Sequence, residues 1–498
     1  MEKEKIFCCL FIGDKKILGQ LLLAKDKSLA SLTSRHPIPY EEKPHTILGE
    51  SIDHKKITLI DCVGNQPALV GDSRSMQYKR DIFPHYTAIG SVHILPEASS
   101  ITSVTFEAED IGLIFGHRDD IGMFVPNPED LASLIKKSKH GQIVELGEHP
   151  VAFYQAGRSP SFEQELSFGS LTIDALWSYK ANDRTGIELP IKNVATIKFT
   201  NPLTFDEMMA KLSSISDFIS VVSGRFQEVR DIAITTTDIP TDSLDRVDLH
   251  WSLAPTLGTG FVSTERDAPV TASSAPQELP NVLKNWLERH HEWLPARLRI
   301  LNWQKQGRIY EDNRLVAAAN AFDILPKDVY PEIAKPSQEL LEAKSACKRI
   351  LNSLPASEEK EGALNTLAYW GGMTLKKKII SRASIVQRAL AEPLKDLEAI
   401  LKTACDVRNY YVHGTDRIGI HHFETLQPLL TDALEFTFIA SDLIECGWDI
   451  NRWINRGISI SHPLSFFYRT YEEDLKNYNL AQAAAKSEKE QRKKESDD

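Results

Sequence analysis

Residues Ala404 to Gly414 read ACDVRNYYVHG. On a helix running from Leu394, the residues Leu394, Leu397, Leu401, Ala404 and Tyr411 form one apolar stripe at helical spacing, and Arg408 falls in its middle. A guanidinium on a buried face is costly unless it is paired, at an interface, or facing a wet cleft. Asn409 and Tyr410 take another side of the helix. His413 is followed at once by Gly414, a residue suited to a left-handed C-cap, so the imidazole belongs to the last helical turn, at the negative end of the helix dipole. Arg408 and His413 thus converge on one helix end.

This pair suits RNA scission, in which a 2′-hydroxyl attacks the adjacent phosphate. Histidine serves as general acid or base near neutral pH, and an arginine fork stabilises charge on phosphate oxygens, so the chemistry calls for no metal. Five residues of separation turns the two side chains about 140° apart on an ideal helix, which favours assembly of the site from a two-fold pair of helices. The spacing alone is a weak signal, since Arg417 and His422 repeat it. The residues by themselves fit a second reading too: an arginine in a buried ion pair beside a histidine that caps its helix. Tyr410 and Tyr411 could stack on a base, although Tyr411, on the apolar stripe, reads as core.

Working outward, helical periodicity runs from 281 to 475, through NVLKNWLERHHEWL, RLVAAANAFDIL, SQELLEAKSACKRILNSL, EGALNTLAYWGG and a long run from Phe423 to Cys446. Pro295, Pro326, Pro331, Pro336, Pro355 and Pro393 stand at or near the ends of these segments. The closing residues 476–498, with AAAKSEKEQRKKESDD, lack large apolar side chains and are expected to be a charged, solvated or frayed tail.

Before this the character differs. Short apolar runs (KIFCCLFIG, QLLLA, ITLIDCVG, YTAIGSVHIL, SITSVTFEA, IGLIFG, SLTIDALW, VATIKFT, RDIAITTT, RVDLHWSLA) read as strands. One helix interrupts them: Thr204 and Glu207 make a capping box, Phe205, Met208, Met209, Leu212, Ile215, Ile219 and Val222 follow at helical spacing, and Gly224 closes it. Residues 266–280, rich in Ser, Ala and Pro, are expected to be a linker. The fold class is therefore α+β multidomain: a β-rich N-terminal half, antiparallel sandwich or barrel-like, over residues 1–265 (with 1–150 and 151–265 as an alternative division), then an all-α bundle over 281–475.

The 498 residues, 42% hydrophobic and 26% charged, exclude collagen-like and wholly disordered chains. Six scattered cysteines exclude a disulfide scaffold and suit a reducing setting. The N-terminal apolar run is too short for a signal peptide, and no run approaches the roughly 20 residues of a membrane span, so a cytoplasmic protein without a membrane partner is expected. No G-x-x-x-x-G-K-[ST], G-x-S-x-G, H-E-x-x-H or C-x-x-C occurs. The doublets His290-His291 and His421-His422 would point about 100° apart on a helix and are poor ligand pairs, so no metal or cofactor is expected. The net charge of −11 argues against nucleic acid at first sight, yet residues 1–280 hold all of that excess. The helical half is close to neutral and contains Lys376, Lys377, Lys378 and Arg382, a run that would meet a phosphate backbone or form an ordinary solvated face.

DVRNYYVHG resembles the R-N-x-x-x-H signature of HEPN-superfamily ribonucleases, in the R-N-Y-Y-x-H-G form of Apea-like HEPN domains. The helix RLVAAANAFD, the helix LKKKII and the long helix after the motif follow the family's order. The β-rich half, with GQLLLA, ITLIDCVG and SITSVTFEAEDIG, is similar in outline to the N-terminal domain of ApeA-type abortive-infection proteins of bacterial anti-phage defence. The resemblance implies that Arg408 and His413 are the catalytic pair and that Asn409 supports them. It implies a homodimer whose two motifs share one cleft, and metal-independent endoribonuclease cleavage of cellular RNA, often tRNA. It also implies a cytoplasmic toxin restrained until the N-terminal half meets a phage-encoded trigger. Asp323 stands where related domains often carry an acidic residue, and Tyr410 is a further supporting candidate; for Asp323 a surface or capping carboxylate is the competing reading. The alternative function is a non-catalytic HEPN dimerisation or adaptor protein whose N-terminal half binds protein or glycan.

Overall fold

The computed structural model describes residues 4–24, 28–71, 76–138, 145–178, 180–182, 186–188, 190–240, 242–331, 337–368, 372–414, 416 and 418–497. Pro336 and Arg417 lie outside the described residues. The chain forms two compact units, Met1–Gly258 with Val270–Lys284, and Thr259–Pro269 with Asn285–Asp498.

In the first unit, period-two burial decides the architecture. Strand β1 (Glu4–Ile12) buries Cys8, Leu10 and Ile12 and turns at Gly13, φ 57, into β2 (Lys15–Leu23), which buries Ile17, Leu21 and Leu23. The two-residue turn matches the strand twist. Then come β3 (Leu29–Ser34), β4 (His45–Ser51), β5 (Lys56–Gly64), β6 (Ala68–Val70) and β7 (Gln77–Phe83). The order β5-β4-β1-β2-β3-β7 closes on itself because Val63 and Gly64 of β5 pair with Phe83 and Ile82 of β7, giving a six-stranded antiparallel barrel. Leu10, Leu21, Leu32, Ile57, Leu59, Cys62 and Ile82 fill it. Burial pushes the Cys8 thiol up to about 11 and the Cys62 thiol up to about 12, so both are inert packing groups.

The sheet continues from β5 through β8 (Tyr86–Gly90) and β9 (Ile101–Ala108), the short pairs β10 (Ile121–Phe124) with β11 (Ala152–Gln155) and β14 (Lys180–Asn182) with β15 (Gly186–Glu188) lying outside it. Its other members are β12 (Phe162–Leu166), β13 (Gly169–Trp177), β16 (Ile191–Leu203), β17 (Val229–Thr236) and β18 (Val247–Trp251). β9 lies between β16 and β17, and β8 pairs with β18, so strands from before and after residue 150 interleave and no boundary falls there.

One apolar segment differs from expectation. IGLIFG, expected as a strand, is helix α1 (Ile111–Phe115): Ile111, Ile114 and Phe115 are buried at spacings of three and four, a pattern that short unbroken apolar runs hide. A second short helix, α2 (Pro128–Lys137), follows. The long helix α3 (Phe205–Ser223) forms as its capping box predicts: Glu207 accepts the Thr204 N–H at 2.9 Å, and Gly224 ends it at φ 74. It packs on β9 and β16, with Met208 and Met209 in the core.

Residues 266–280, expected as a linker, are largely buried. The Asp267 carboxylate accepts the N–H groups of Ser459 and Ser461 at 2.6 and 2.7 Å and their hydroxyls at 2.6 and 2.7 Å. Against the cost of burial, these donors hold its carboxyl below the usual range. Val270, Thr271, Ala272 and Ala275 are buried, and the Ala272 N–H donates to Ile114 at 2.7 Å. Small side chains here serve close packing instead of a solvated tether.

The second unit is helical: α4 (Leu279–Glu288, begun in the first unit), α5 (His290–Gln304), α6 (Asp312–Asp323), α7 (Gln338–Ser353), α8 (Glu358–Ala368), α9 (Leu375–Ala389), α10 (Leu397–His413), α11 (Gln427–Glu445), α12 (Ile450–Ile454) and α13 (Pro463–Asp497). Pro295 lies inside α5, and the chain breaks instead at Arg289. The charged tail is helical to Asp497, since alanine, lysine and glutamate favour helix even without apolar anchors. No helix among the described residues is long and apolar enough to cross a membrane.

α11 is the hub, packed against α6, α9, α10 and α13. Its buried Glu435 receives Arg314 of α6 in a two-pronged pair at 2.7 and 2.9 Å, and its Asp442 receives Arg297 of α5 at 2.9 and 3.0 Å. Arg289 adds a contact to Asp442 at 2.6 Å, and Arg382 of α9 meets Glu445 at 2.9 Å. Breaking a buried pair strands a charge, so Arg314→Met should cost about 3–5 kcal/mol in urea denaturation, and the double change Arg314→Met with Glu435→Met should recover most of it. A double variant no more stable than the single one would show that the pair carries no such coupling.

Near the same face, Tyr310 donates to Asp432 at 2.8 Å. Burial and the neighbouring Glu435, with a smaller push from Asp474, raise the Asp432 carboxyl to about 7 against Tyr310 and Arg314. The folded chain then holds a proton that the unfolded chain releases near pH 4, a contribution complete below that pH and lost as pH rises through about 7. Asp432→Asn, which keeps an acceptor for Tyr310, should raise the melting temperature at pH 8 by roughly 2–4 °C, about 1 kcal/mol, and by nothing at pH 4. An equal effect at both pH values would contradict a raised carboxyl.

Candidate active site

α10 starts at a left-handed Asp396 and ends at Gly414, φ 69, whose N–H donates to Tyr410 at 2.7 Å, so His413 is the last helical residue. Leu397, Leu401 and Ala404 are fully buried, and Arg408 is half-buried beside them. His413 is exposed.

The Arg408 guanidinium is held on three sides. Nε and Nη2 donate to Oδ1 of Asn320 on α6, at 3.1 and 2.8 Å. Nη1 donates to Oδ1 of Asn409 at 3.1 Å and lies 3.5 Å from Nε2 of His413. Arg408 and His413 therefore meet within one chain, although their helical positions are about 140° apart. The length of the arginine side chain, laid along the helix toward its C-terminus, spans the difference.

None of these partners is a carboxylate. In the same unit the buried Arg297, Arg314 and Arg382 each face a carboxylate. Arg408 is oriented by amides and, among the described residues, makes no ion pair with a carboxylate, which is how a protein prepares a guanidinium for an external anion.

Asn320 escaped the sequence reading. The one visible signal is an amide in the otherwise apolar LVAAANAF, between the buried Ala319 and Ala321. Asp323, one turn on, turns elsewhere and accepts from Nζ of Lys378 at 2.8 Å. Tyr410 is half-buried, its ring 5.7 Å from that of Tyr411. Tyr411 is half-buried too, and burial together with Asp312 pushes its hydroxyl up to about 12.

The basic run is mostly spent on internal contacts. Lys376 grips both oxygens of Asp406 at 2.9 Å, Lys378 holds Asp323, and Lys377 is exposed. Arg382 is no surface residue: it is fully buried, pairs with Glu445 and donates to the Ser441 hydroxyl at 3.0 Å, because its position on α9 faces α11. The histidine doublets part ways. His290 is buried against Trp286, with ring centroids 4.7 Å apart. His421 and His422 do not diverge but converge on Glu488.

A family model described as ApeA N-terminal domain 1 matches residues 2–286. The chain belongs to the ApeA family. A second model, Apea-like HEPN, matches residues 316–451 and so covers Asn320, Arg408, Asn409 and His413. Neither a curated protein nor a solved structure matches. An ApeA-type N-terminal domain joined to a HEPN domain supports an anti-phage defence effector, and HEPN domains are typically RNases that commonly dimerise.

The amide clamp is testable in this ApeA-family chain without any assay of activity. Asn320→Ala removes the acceptor of two charge-assisted hydrogen bonds and should lower stability by about 1.5 kcal/mol, whereas Asn320→Asp places a carboxylate there and should keep or raise the melting temperature. Equal losses in both variants would mean that Asn320 does not hold Arg408.

Proposed function

We propose that the chain is a metal-independent HEPN endoribonuclease of anti-phage defence that cleaves cellular RNA, tRNA foremost, in the cytoplasm. The observation that carries this reading is the Arg408 guanidinium, oriented by Asn320 and Asn409, in no ion pair with a carboxylate among the described residues and within reach of an exposed imidazole.

In the proposed reaction a phosphate of the RNA takes the place beside Arg408, whose N–H groups stabilise the charge growing on its oxygens. His413 Nε2 lies 3.5 Å from Arg408 Nη1, so an imidazole unprotonated there is placed to accept the proton of the 2′-hydroxyl of a phosphate-bound substrate. The 2′-oxygen bonds to phosphorus, the bond to the 5′-oxygen breaks, and a protonated imidazole supplies the leaving oxygen with its proton. The products are a 2′,3′-cyclic phosphate and a 5′-hydroxyl. Two copies of the chain supply two such imidazoles, one as base and one as acid, which is the chemical sense of a homodimer. Asn409 and Asn320 are positioning residues.

The N-terminal unit is the proposed sensor of a phage-encoded protein. It holds a cavity of about 550 Å³ lined by Asp61, Val63, Phe83, His85 and Leu253 among others. Exposed Val63, Phe83 and Leu253 give it an apolar rim for a peptide or loop of the trigger.

The test is cleavage of total tRNA in chelator by the full chain. Arg408→Ala and His413→Ala should each lower cleavage at least about 100-fold, His413→Ala with little change in melting temperature and Arg408→Ala with a stability loss comparable to that of Asn320→Ala, and the wild-type product should end in a cyclic phosphate. Undiminished cleavage in either variant would refute the assignment. A large fall in melting temperature with RNA left intact by the wild-type chain would instead favour the adaptor reading.

A further inference from the structure

The strap that follows the motif carries a second constellation. Asp416 accepts the N–H groups of Ile418 and Gly419 at 3.0 and 2.8 Å and folds the strap into a turn. Gly419, at φ 74, then leads into a single 3₁₀ turn, Ile420–His422. This turn brings the two imidazoles together, with ring centroids 4.0 Å apart. Nε2 of His421 and Nε2 of His422 lie 3.1 and 2.6 Å from the same oxygen, Oε2 of Glu488 on the far part of α13.

We propose that His421, His422 and Glu488 bind a divalent cation of the zinc type, which clamps the distal part of α13 onto the strap. Three ligand atoms, two imidazole nitrogens and a carboxylate oxygen, lie within 4.8 Å of one another. Bonds of about 2.0–2.2 Å in a tetrahedral site put ligand atoms about 3.4 Å apart, so the two histidine–carboxylate contacts need lengthen only by several tenths of an ångström around an ion. Imidazole ligands favour zinc over magnesium or calcium. Three protein ligands leave the fourth position for water, and the half-exposed His421 marks its open side.

Gly419 also fits this reading. A Cβ there would lie 3.3 Å from the His422 ring and 4.0 Å from the Glu488 oxygen, so a larger residue would crowd the open side of the cluster. The ligands come from two chain segments 66 residues apart. An ion would therefore cross-link the strap and the distal part of α13. Arg408, Asn409 and His413 are not among the ligands, so the clamp is separate from the proposed chemistry and stands without it.

The experiment uses the full chain, stripped with chelator and titrated with Zn²⁺ alone. The wild type should bind about one ion per chain, with a melting temperature raised by a few degrees and slower trypsin cleavage at Lys486 and Lys489. His421→Ala and Glu488→Gln should lose all three effects, while Arg408→Ala should keep them. His421 is half exposed, so its variant should fold, and the pair of variants guards against a misfolded one. No binding by the wild type, or equal binding by both variants, would overturn the site and leave a hydrogen-bonded histidine–carboxylate cluster.

Discussion

The helical unit depends on the desolvated carboxylates of α11. Glu435 and Asp442 are buried in a helix whose other inward residues are leucine, phenylalanine, alanine and isoleucine with Thr431, Thr437 and Ser441, and a buried carboxylate there is costly unless a guanidinium meets it. Arg314, Arg297, Arg289 and Arg382 come from α5, α6, α9 and the break before α5, so the charge requirement of one helix fixes the rotation of its neighbours. Apolar packing alone would let these helices slide; two-pronged arginine–carboxylate pairs do not.

This constraint builds the site. Arg314 and Asn320 share α6, six residues or about one and two-thirds turns apart. With Arg314 locked to Glu435, α6 must present Asn320 toward α10, where it meets Arg408. α9 is locked on the other side through Arg382, and from it Lys376 grips Asp406 of α10 while Lys378 grips Asp323 of α6. The helix that carries the motif is thus held by polar contacts from two neighbours. Its own arginine is excluded from the carboxylate network. That exclusion separates a guanidinium available to a ligand from the structural arginines around it.

Much of this was legible in the sequence, and what was not has physical causes. Thr204, Glu207 and Gly224 announce α3 because capping is local chemistry, satisfied within a few residues. The apolar stripe of α10 and the cap at Gly414 are legible for the same reason. IGLIFG read as a strand because its buried face, Ile111, Ile114 and Phe115, is little more than one helical turn long, too short for a period to stand out in an unbroken apolar run. Lys376, Lys377, Lys378 and Arg382 looked like one basic face, yet their partners Asp406, Asp323 and Glu445 are distant in sequence. Asn320 was invisible for that reason as well: its role lies wholly in a contact 88 residues away.

The histidine doublet shows the limit of reasoning from ideal geometry. On an α-helix adjacent rings diverge by about 100°, but His421 and His422 lie in a 3₁₀ turn after a left-handed glycine, where short range and loose rotamers let both rings reach one oxygen. Net charge misleads in a parallel way. A near-neutral count over residues 281–475 includes arginines and carboxylates that cancel inside the core and never reach the surface. The field met by an approaching phosphate is set by what remains after those pairs are removed, and at the end of α10 what remains includes the Arg408 guanidinium. An acidic total therefore does not by itself set a barrier at the motif, since the excess acid of −11 belongs to residues 1–280 and a guanidinium lies beside His413.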